Sequence, residues 1–190
     1  KVETVDHKTG QKYCQEFTDN LSVIKPPVIT RQSGKPYTKI SFIPDYDRLK
    51  LKGLSSDFIS LFKKRVYDIA AVTDKSIRVK FNGEQLTVKT FQHYVDYYIG
   101  DKKEYERVIE SPNERWEYTV ALSNNDEFQQ ISFVNGIATT KGGRHVDYIV
   151  NQIIKKMIQY IKDKKKIDVK PASIREQLIL FLDCTIENPA

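Results

Sequence analysis

The stretch "ISFVNGIATTKGGRHVDYI", residues 131–149, runs from an apolar segment through a polar, glycine-containing segment into the start of a helical pattern. The polar segment "TTKGGRH" has three interpretations: a phosphate-binding loop, a catalytic turn built on His145, or a structural joint. Beyond it, apolar residues recur at helical spacing, which predicts a long amphipathic helix. These residues are Val146, Ile149, Val150, Ile153, Ile154, Met157, Ile158 and Ile161.

Strand patterns on both sides of this helix predict the fold class. "LILFLDCTI", residues 178–186, is apolar on both faces, as expected of a central strand lying under helices. "RWEYTVAL", residues 115–122, alternates strictly, and we expect "QQISFVNGIA", residues 129–138, to pair with it as an antiparallel hairpin. The pattern indicates an α/β fold, an α+β sandwich with a sheet backed by helices.

The first part of the chain has a mostly β pattern. Residues 11–18 and 37–43 are predicted strands, and residues 23–36, which contain Pro26-Pro27 and Gly34, are predicted to be a turn-rich connection. Helix capping residues at 55–57 then introduce a helical pattern. We place a domain boundary near residue 49. After that boundary, Asn82-Gly83 predicts a tight hairpin, and residues 89–99 predict a short aromatic helix.

Composition limits the possible functions. The chain of 190 residues has a net charge of +6, which suits an anionic partner, and it contains no apolar run approaching the ~18 residues of a membrane span. We therefore expect no membrane partner. Cys14 and Cys184 are far apart and His7 and His93 are scattered, so neither a disulfide framework nor a metal site is indicated. No signal-peptide pattern is present, and a start at Lys1 without Met suggests a fragment of a longer protein.

The polar segment at residues 139–145 carries five candidate residues: Lys141, Gly142, Gly143, Arg144 and His145. The segment does not match the Walker A motif, because Lys141 precedes the glycines. Catalysis by His145 needs a nucleophile and an orienting group that the sequence does not supply. An anion contact at the helix N-terminus is compatible with Lys141 and Arg144. We expect a structural joint and no catalytic residue.

A lysine cluster follows the long helix within "KDKKKIDVK", residues 162–170. It comprises Lys162, Asp163, Lys164, Lys165 and Lys166. Such a run is commonly a solvated helix end, where cations complement the helix dipole. If it lies on a loop, it is equally suited to contacting a phosphate backbone without reading the sequence. The residues alone leave both interpretations open.

Several segments in order resemble one family. They are "GQKYCQEFTDN", "KPPVIT", "YTKISFIPD", "KRVYDIA", "NGEQL", "NERWEY", "FQQISFVNGIATTKGGRHVDYI" and "IENPA". Together they resemble the type IIA DNA topoisomerases, in the eukaryotic and eukaryote-like viral branch rather than bacterial gyrase. The resemblance covers the chain from end to end.

The resemblance implies a domain assignment and a role. Residues 1–48 would be the C-terminal strands of a GHKL ATP-binding domain, and residues 49–190 a transducer domain with a left-handed βαβ crossover. In the parent enzyme the transducer couples ATP binding and hydrolysis at the dimeric N-gate to DNA strand passage. The family's elements that hold ATP and Mg²⁺ would lie outside this chain, so the chain alone is expected to bind no cofactor and to be inactive.

The resemblance also implies partners. The lysine cluster matches the family's DNA-contacting loop, with Asp163 departing from the all-basic pattern. Expected partners are double-stranded DNA, the rest of the same polypeptide and a second subunit in a homodimer, located in the nucleus, or in the host cell for a virus. The alternative is a standalone basic nucleic-acid-binding domain. That alternative requires base-stacking aromatic residues on an exposed strand face, for which Trp116 and Tyr118 are the candidates.

Overall fold

The computed structural model describes residues 1–189, and Ala190, the last residue of the expected transducer, lies outside the described residues. The chain divides into two compact units, Lys1–Ser56 and Asp57–Ala190. The division lies a few residues beyond the boundary near residue 49. The segment before Ser56 stays with the first unit, where Asn20 Nδ2 donates a hydrogen bond of 2.7 Å to Asp45 Oδ2.

The first unit is a small antiparallel sheet in the order β5-β2-β1-β6, with a short separate pair, β3-β4. Residues 28–31, predicted to be part of a turn-rich connection, form β5 and pair with β2. Their β-branched residues favour a strand, and Pro27 is tolerated because it precedes an edge strand. The strands are β1 Val2–Asp6, β2 Gln11–Gln15, β3 Phe17–Thr18, β4 Val23–Ile24, β5 Val28–Arg31 and β6 Tyr37–Ile40.

The second unit contains a five-stranded sheet in the order β12-β11-β13-β10-β9, together with four helices and a small hairpin, β7-β8. The helices are α1 Ser56–Val72, α2 Phe91–Ile99, α3 Arg144–Lys165 and α4 Pro171–Arg175. The strands are β7 Lys80–Phe81, β8 Glu84–Gln85, β9 Arg107–Asn113, β10 Trp116–Leu122, β11 Gln129–Val134, β12 Ile137–Ala138 and β13 Leu178–Cys184. None of the helices among residues 1–189 is long and apolar enough to cross a membrane.

The last strand, β13, occupies the middle of the sheet. It pairs antiparallel with β10 and parallel with β11, so that Phe181 lies between Thr119 and Ile131. The predicted β10–β11 hairpin is therefore wrong, because β13 is inserted between the two strands. β13 is the most apolar strand, and the central position buries it on both faces. The other neighbour of β10 is β9, which the sequence analysis did not identify.

Helices cover both faces of this sheet. Residues of α1 and α2 share a buried cluster with Phe133 and Phe181, whereas residues of α3 and α4 share another with Leu180 and Leu182. Because side chains alternate along a strand, Ile131 and Phe133 face α1 and α2 and not the long helix. From the stripe Val146 to Ile161 alone, α3 is expected to pack on Ile131, Phe133, Leu180 and Leu182; the structure confirms Leu180 and Leu182, and the expectation for Ile131 and Phe133 is wrong.

The segment "KRVYDIA", residues 64–70 of α1, contacts α2, which covers the same face of the sheet. Asp68 on α1 is 3 % exposed and accepts a 2.6 Å hydrogen bond from the Tyr94 hydroxyl on α2. Lys64, one turn earlier, lies 2.7 Å from the same carboxylate. Burial of the phenol and its bond to this carboxylate raise the pKa of Tyr94. Arg65 of α1 also lies 3.5 Å from this carboxylate, and the bond from Tyr94 fixes α1 against α2.

The predicted α/β class is confirmed by this architecture. The parallel neighbours β11 and β13 are joined through α3 and α4, which makes a βαβ crossover. The left-handed sense of this crossover stays a prediction.

Candidate functional site

The polar segment at residues 139–145 does not follow β11 directly. Asn135 and Gly136, both with positive φ of 52° and 77°, turn the chain into β12, which pairs back on β11. The segment therefore joins β12, at the edge of the sheet, to α3, and residues 129–138 form two strands rather than the single predicted one. An Asn-Gly pair between apolar residues is the signal that was missed here.

Side chains of β11 hold the segment in place. Gln130 Nε2 donates hydrogen bonds to the carbonyl oxygens of Thr139 and Thr140, at 3.2 and 3.1 Å. The Thr139 amide donates to the carbonyl of Ser132 at 2.7 Å, and the Ser132 hydroxyl donates to Gln130 Oε1 at 2.6 Å. Sequence analysis missed Gln130, Ser132 and Thr139. Polar side chains on the face of β11 turned towards α3 were the available signal.

His145, in the first turn of α3, completes this network. Its Nε2 lies 2.9 Å from Thr139 Oγ1 and 3.3 Å from Ser132 Oγ. Burial lowers the pKa of His145, partly offset by the charge of Asp147, so the neutral ring is favoured. Ser132 is only 3 % exposed, which closes the one nearby hydroxyl of β11 to any substrate. The geometry suits a hydrogen-bonded joint between strand and helix.

The two glycines shape the start of the helix. Gly143 has a φ of +150°, and a Cβ added there would lie 3.0 Å from Cε1 of His145. The ring therefore sits directly against the glycine. Lys141 and Arg144 are exposed beside the helix N-terminus, where an anion contact stays a prediction.

The lysine cluster lies mainly on a helix and not on the expected loop. Lys162, Asp163, Lys164 and Lys165 form the last turn of α3. Lys166 caps the helix in the left-handed conformation, and its amide donates a 3.0 Å hydrogen bond to the Lys162 carbonyl. Lysine is a good helix former and cations favour a helix C-terminus, so the helix continues through the cluster.

Most cations of this cluster are available to a ligand. All five residues are exposed. Lys162 Nζ lies 3.1 Å from Asp168 Oδ1, and Asp163 accepts a 2.9 Å hydrogen bond from Gln159. Among residues 1–189, Lys164, Lys165 and Lys166 form no ion pair. Asp163 is therefore bonded to a neutral amide, and three lysine side chains have no ion-pair partner among residues 1–189.

The candidate stacking residues lie under α3. Trp116 and Tyr118 are half-buried and pack against the cluster that contains Ile149 and Leu182. The Trp116 ring centroid lies 6.0 Å from that of Tyr148 on the helix. These rings take part in helix–sheet packing, and an open stacking platform, which the standalone interpretation requires, is not formed by this pair.

Comparisons with known proteins agree with this geometry. A sequence model of the family described as DNA gyrase B matches residues 90–190. The chain belongs to the DNA gyrase B family. Within it, the chain is 41 % identical to DNA topoisomerase 2 of Saccharomyces cerevisiae over 210 aligned positions, covering 100 % of this chain and 14 % of the yeast protein.

Two solved structures share the fold. The crystal structure of the ATPase region of Saccharomyces cerevisiae topoisomerase II matches with a TM-score of 0.90 and 42 % identity. The ATPase and transducer domains of DNA topoisomerase II from Balamuthia mandrillaris match with a TM-score of 0.91 and 38 % identity. Each match covers 100 % of this chain and 49 % of the other. The predicted membership of the type IIA topoisomerases is confirmed, and the chain spans about half of an ATPase region of this family.

Proposed function

We propose that this chain is part of an ATP-dependent type II DNA topoisomerase. Residues 1–48 would be the last strands of its GHKL ATP-binding domain, and residues 49–190 its transducer. The support is a likeness that covers 100 % of this chain and 49 % of a structure of ATPase and transducer domains, together with the division of the chain into two compact units. The parent enzyme would use ATP and Mg²⁺, act as a homodimer and work in the nucleus, or in the host cell of a virus.

The transducer would carry motion between a nucleotide site outside this chain and DNA. Such coupling needs an element that moves as one body. The joint formed by Gln130, Ser132, Thr139 and His145 supplies it, because these side chains fix the start of α3 to β11. We assign Lys141, Gly142, Gly143, Arg144 and His145 to this joint, with no catalytic role.

The far end of the same helix would contact the transported duplex. The observation that carries this proposal is a set of exposed lysines at the α3 C-terminus, three of them without an ion pair among residues 1–189. Phosphate contacts by lysine are independent of sequence, as required where every transported segment must pass. A rigid helix with a joint at one end and a DNA contact at the other would link the two events.

Salt-dependent binding of duplex DNA tests the contact. Lys162, Lys164, Lys165 and Lys166 are replaced together by alanine in the 190-residue chain. If all four meet phosphates, the slope of log affinity against log salt becomes shallower by about 3.6, from about 0.9 for each contact. An unchanged slope would show that the cluster is only a solvated helix end.

A further inference from the structure

We infer that the DNA contact extends back along the solvent face of α3, with Lys155 and Lys156 as additional phosphate-binding residues. This inference rests on the proposed function. Between Asp147 and Asp163 the helix contains no Asp or Glu in fifteen residues, although the chain has 25 such residues in 190. Apart from Met157, its exposed positions are amides, lysines and tyrosines: Tyr148, Asn151, Gln152, Lys155, Lys156, Gln159, Tyr160 and Lys162.

The absence of carboxylates distinguishes this face from an ordinary solvated helix. A helix exposed only to water usually mixes both charges, since Glu–Lys pairs at i,i+4 add stability. Here Lys155 and Lys156 are exposed, and neither forms an ion pair within the part of the chain that the structure describes. No carboxylate lies between Tyr148 and Lys162 to repel a polyanion, and the amide of Asn151 is an additional donor for phosphate oxygens.

The spacing aligns these residues with the lysine cluster. Lys155 and Lys162 are seven residues apart, which places them on one side of the helix, and the row ends at Lys166, the C-cap. At 1.5 Å per residue, the row spans about 16 Å, close to the rise of five base pairs at about 3.4 Å each. Lys156 lies one residue round the helix from this row.

Charge is concentrated on the same segment. Residues 155–170 contain seven lysines and two aspartates, a net charge of +5, whereas the whole chain carries +6. The remaining residues carry a net charge of only +1, so most of the net positive charge of the chain lies on this helix and its end. This face carries a regular row of cations and amide donors and is not an apolar groove. Such a row fits the phosphate backbone of DNA better than it fits an acidic protein partner.

The test compares two matched double variants of the full 190-residue chain. K155Q/K156Q removes two charges while keeping good helix formers. K75Q/K89Q removes two exposed lysines next to α1 and α2, which pack on the opposite face of the sheet. Binding of a short fluorescein-labelled duplex is followed by anisotropy between about 50 and 200 mM salt. Circular dichroism confirms that each variant keeps its helix content.

The expected result is a slope shallower by about 1.8 for K155Q/K156Q, so that affinity falls about twelve-fold less across this salt range than in the wild type. K75Q/K89Q keeps the wild-type slope. A wild-type slope for K155Q/K156Q overturns the inference. The proposed function is then decided separately, by the variant in which Lys162, Lys164, Lys165 and Lys166 are replaced by alanine. Failure of the wild-type chain to bind duplex overturns both. If polyglutamate of matched charge competes for the chain as well as unlabelled duplex does, the partner of this face is an acidic protein and not DNA.

Discussion

His145 on α3 and Thr139 beyond β12 are joined by a hydrogen bond of 2.9 Å between Nε2 and Oγ1. The bond closes the turn between the edge of the sheet and the long helix. Through Thr139 and Ser132 it connects α3 to β11, which pairs with the central strand β13. The start of α3 is therefore fixed by a specific polar contact as well as by apolar packing.

Replacing His145 by alanine should weaken this joint. We expect a loss of about 1 kcal/mol of unfolding free energy, the usual net contribution of a hydrogen bond. Trp116, the single tryptophan, reports unfolding of the second unit by fluorescence. His93→Ala, at an exposed position of α2, serves as the control and should change stability by less than about 0.5 kcal/mol. Equal stability of the two variants would refute a joint at His145.

The same side chain predicts a pH dependence. The pKa of His145 is lowered in the fold from its ordinary value near 6.5, because burial disfavours the charged ring. The unfolded chain therefore binds a proton that the folded chain does not, so stability falls as pH drops below about 6.5. His145→Gln removes this contribution. Denaturant midpoints measured from pH 7.5 to about 5 should fall less for the variant than for the wild type.

Asp183 on β13 should destabilise the sheet at neutral pH. Burial and the facing carboxylate of Glu117 on β10 raise its pKa to about 6. The folded chain then holds a proton that the unfolded chain has lost, and stability declines as pH rises from about 4 to about 6. Asp183→Asn should stabilise the protein at pH 7 by on the order of 1 kcal/mol after allowance for solvent screening.

A matched control separates this effect from a general loss of negative charge. Glu114→Gln, at an exposed position between β9 and β10, should leave the thermal midpoint nearly unchanged. The difference between the two variants should become small below about pH 3, where the wild-type carboxyl is largely protonated in both states. A destabilised Asp183→Asn variant at pH 7 would mean that the carboxylate has a stabilising partner.

Loss of apolar packing under α3 should lower the free energy of unfolding more than the loss of one hydrogen bond. Ile154 is 6 % exposed within the cluster that contains Leu180 and Leu182. Ile154→Ala should cost about 2–5 kcal/mol through lost burial and a residual cavity. Gln159→Ala on the solvent face should cost less than about 0.5 kcal/mol. A similar small change for both would place Ile154 at the surface of the folded protein.

Local patterns predicted the elements well and their neighbours less well. The spacing from Val146 to Ile161 is sufficient for α3, and a strand apolar on both faces must be central, as β13 is. Periodicity does not reveal which strand lies between two others. The pairing of β13 with β11 joins residues about fifty positions apart, and burial of the most apolar strand, a property of the whole sheet, decides it.

The candidate site shows the same limit. The lysine cluster was visible in the sequence, but its placement on a helix depended on where α3 ends. Partners of His145 lie on β11 and beyond β12, which only the Asn135-Gly136 turn brings back to the helix. The polar side chains Ser132 and Gln130 were visible in the strand pattern, but without this turn nothing in the sequence connected them to His145.

ATP hydrolysis by the full-length protein, with and without duplex DNA, tests the central claim most directly. Simultaneous replacement of Lys162, Lys164, Lys165 and Lys166 by alanine should leave the basal rate nearly unchanged, because the nucleotide site would be elsewhere, and should weaken stimulation by DNA. Alanine at Lys75 and Lys89, exposed on other elements, should preserve stimulation. Full DNA stimulation in the quadruple variant would contradict a transducer that senses DNA through the end of α3.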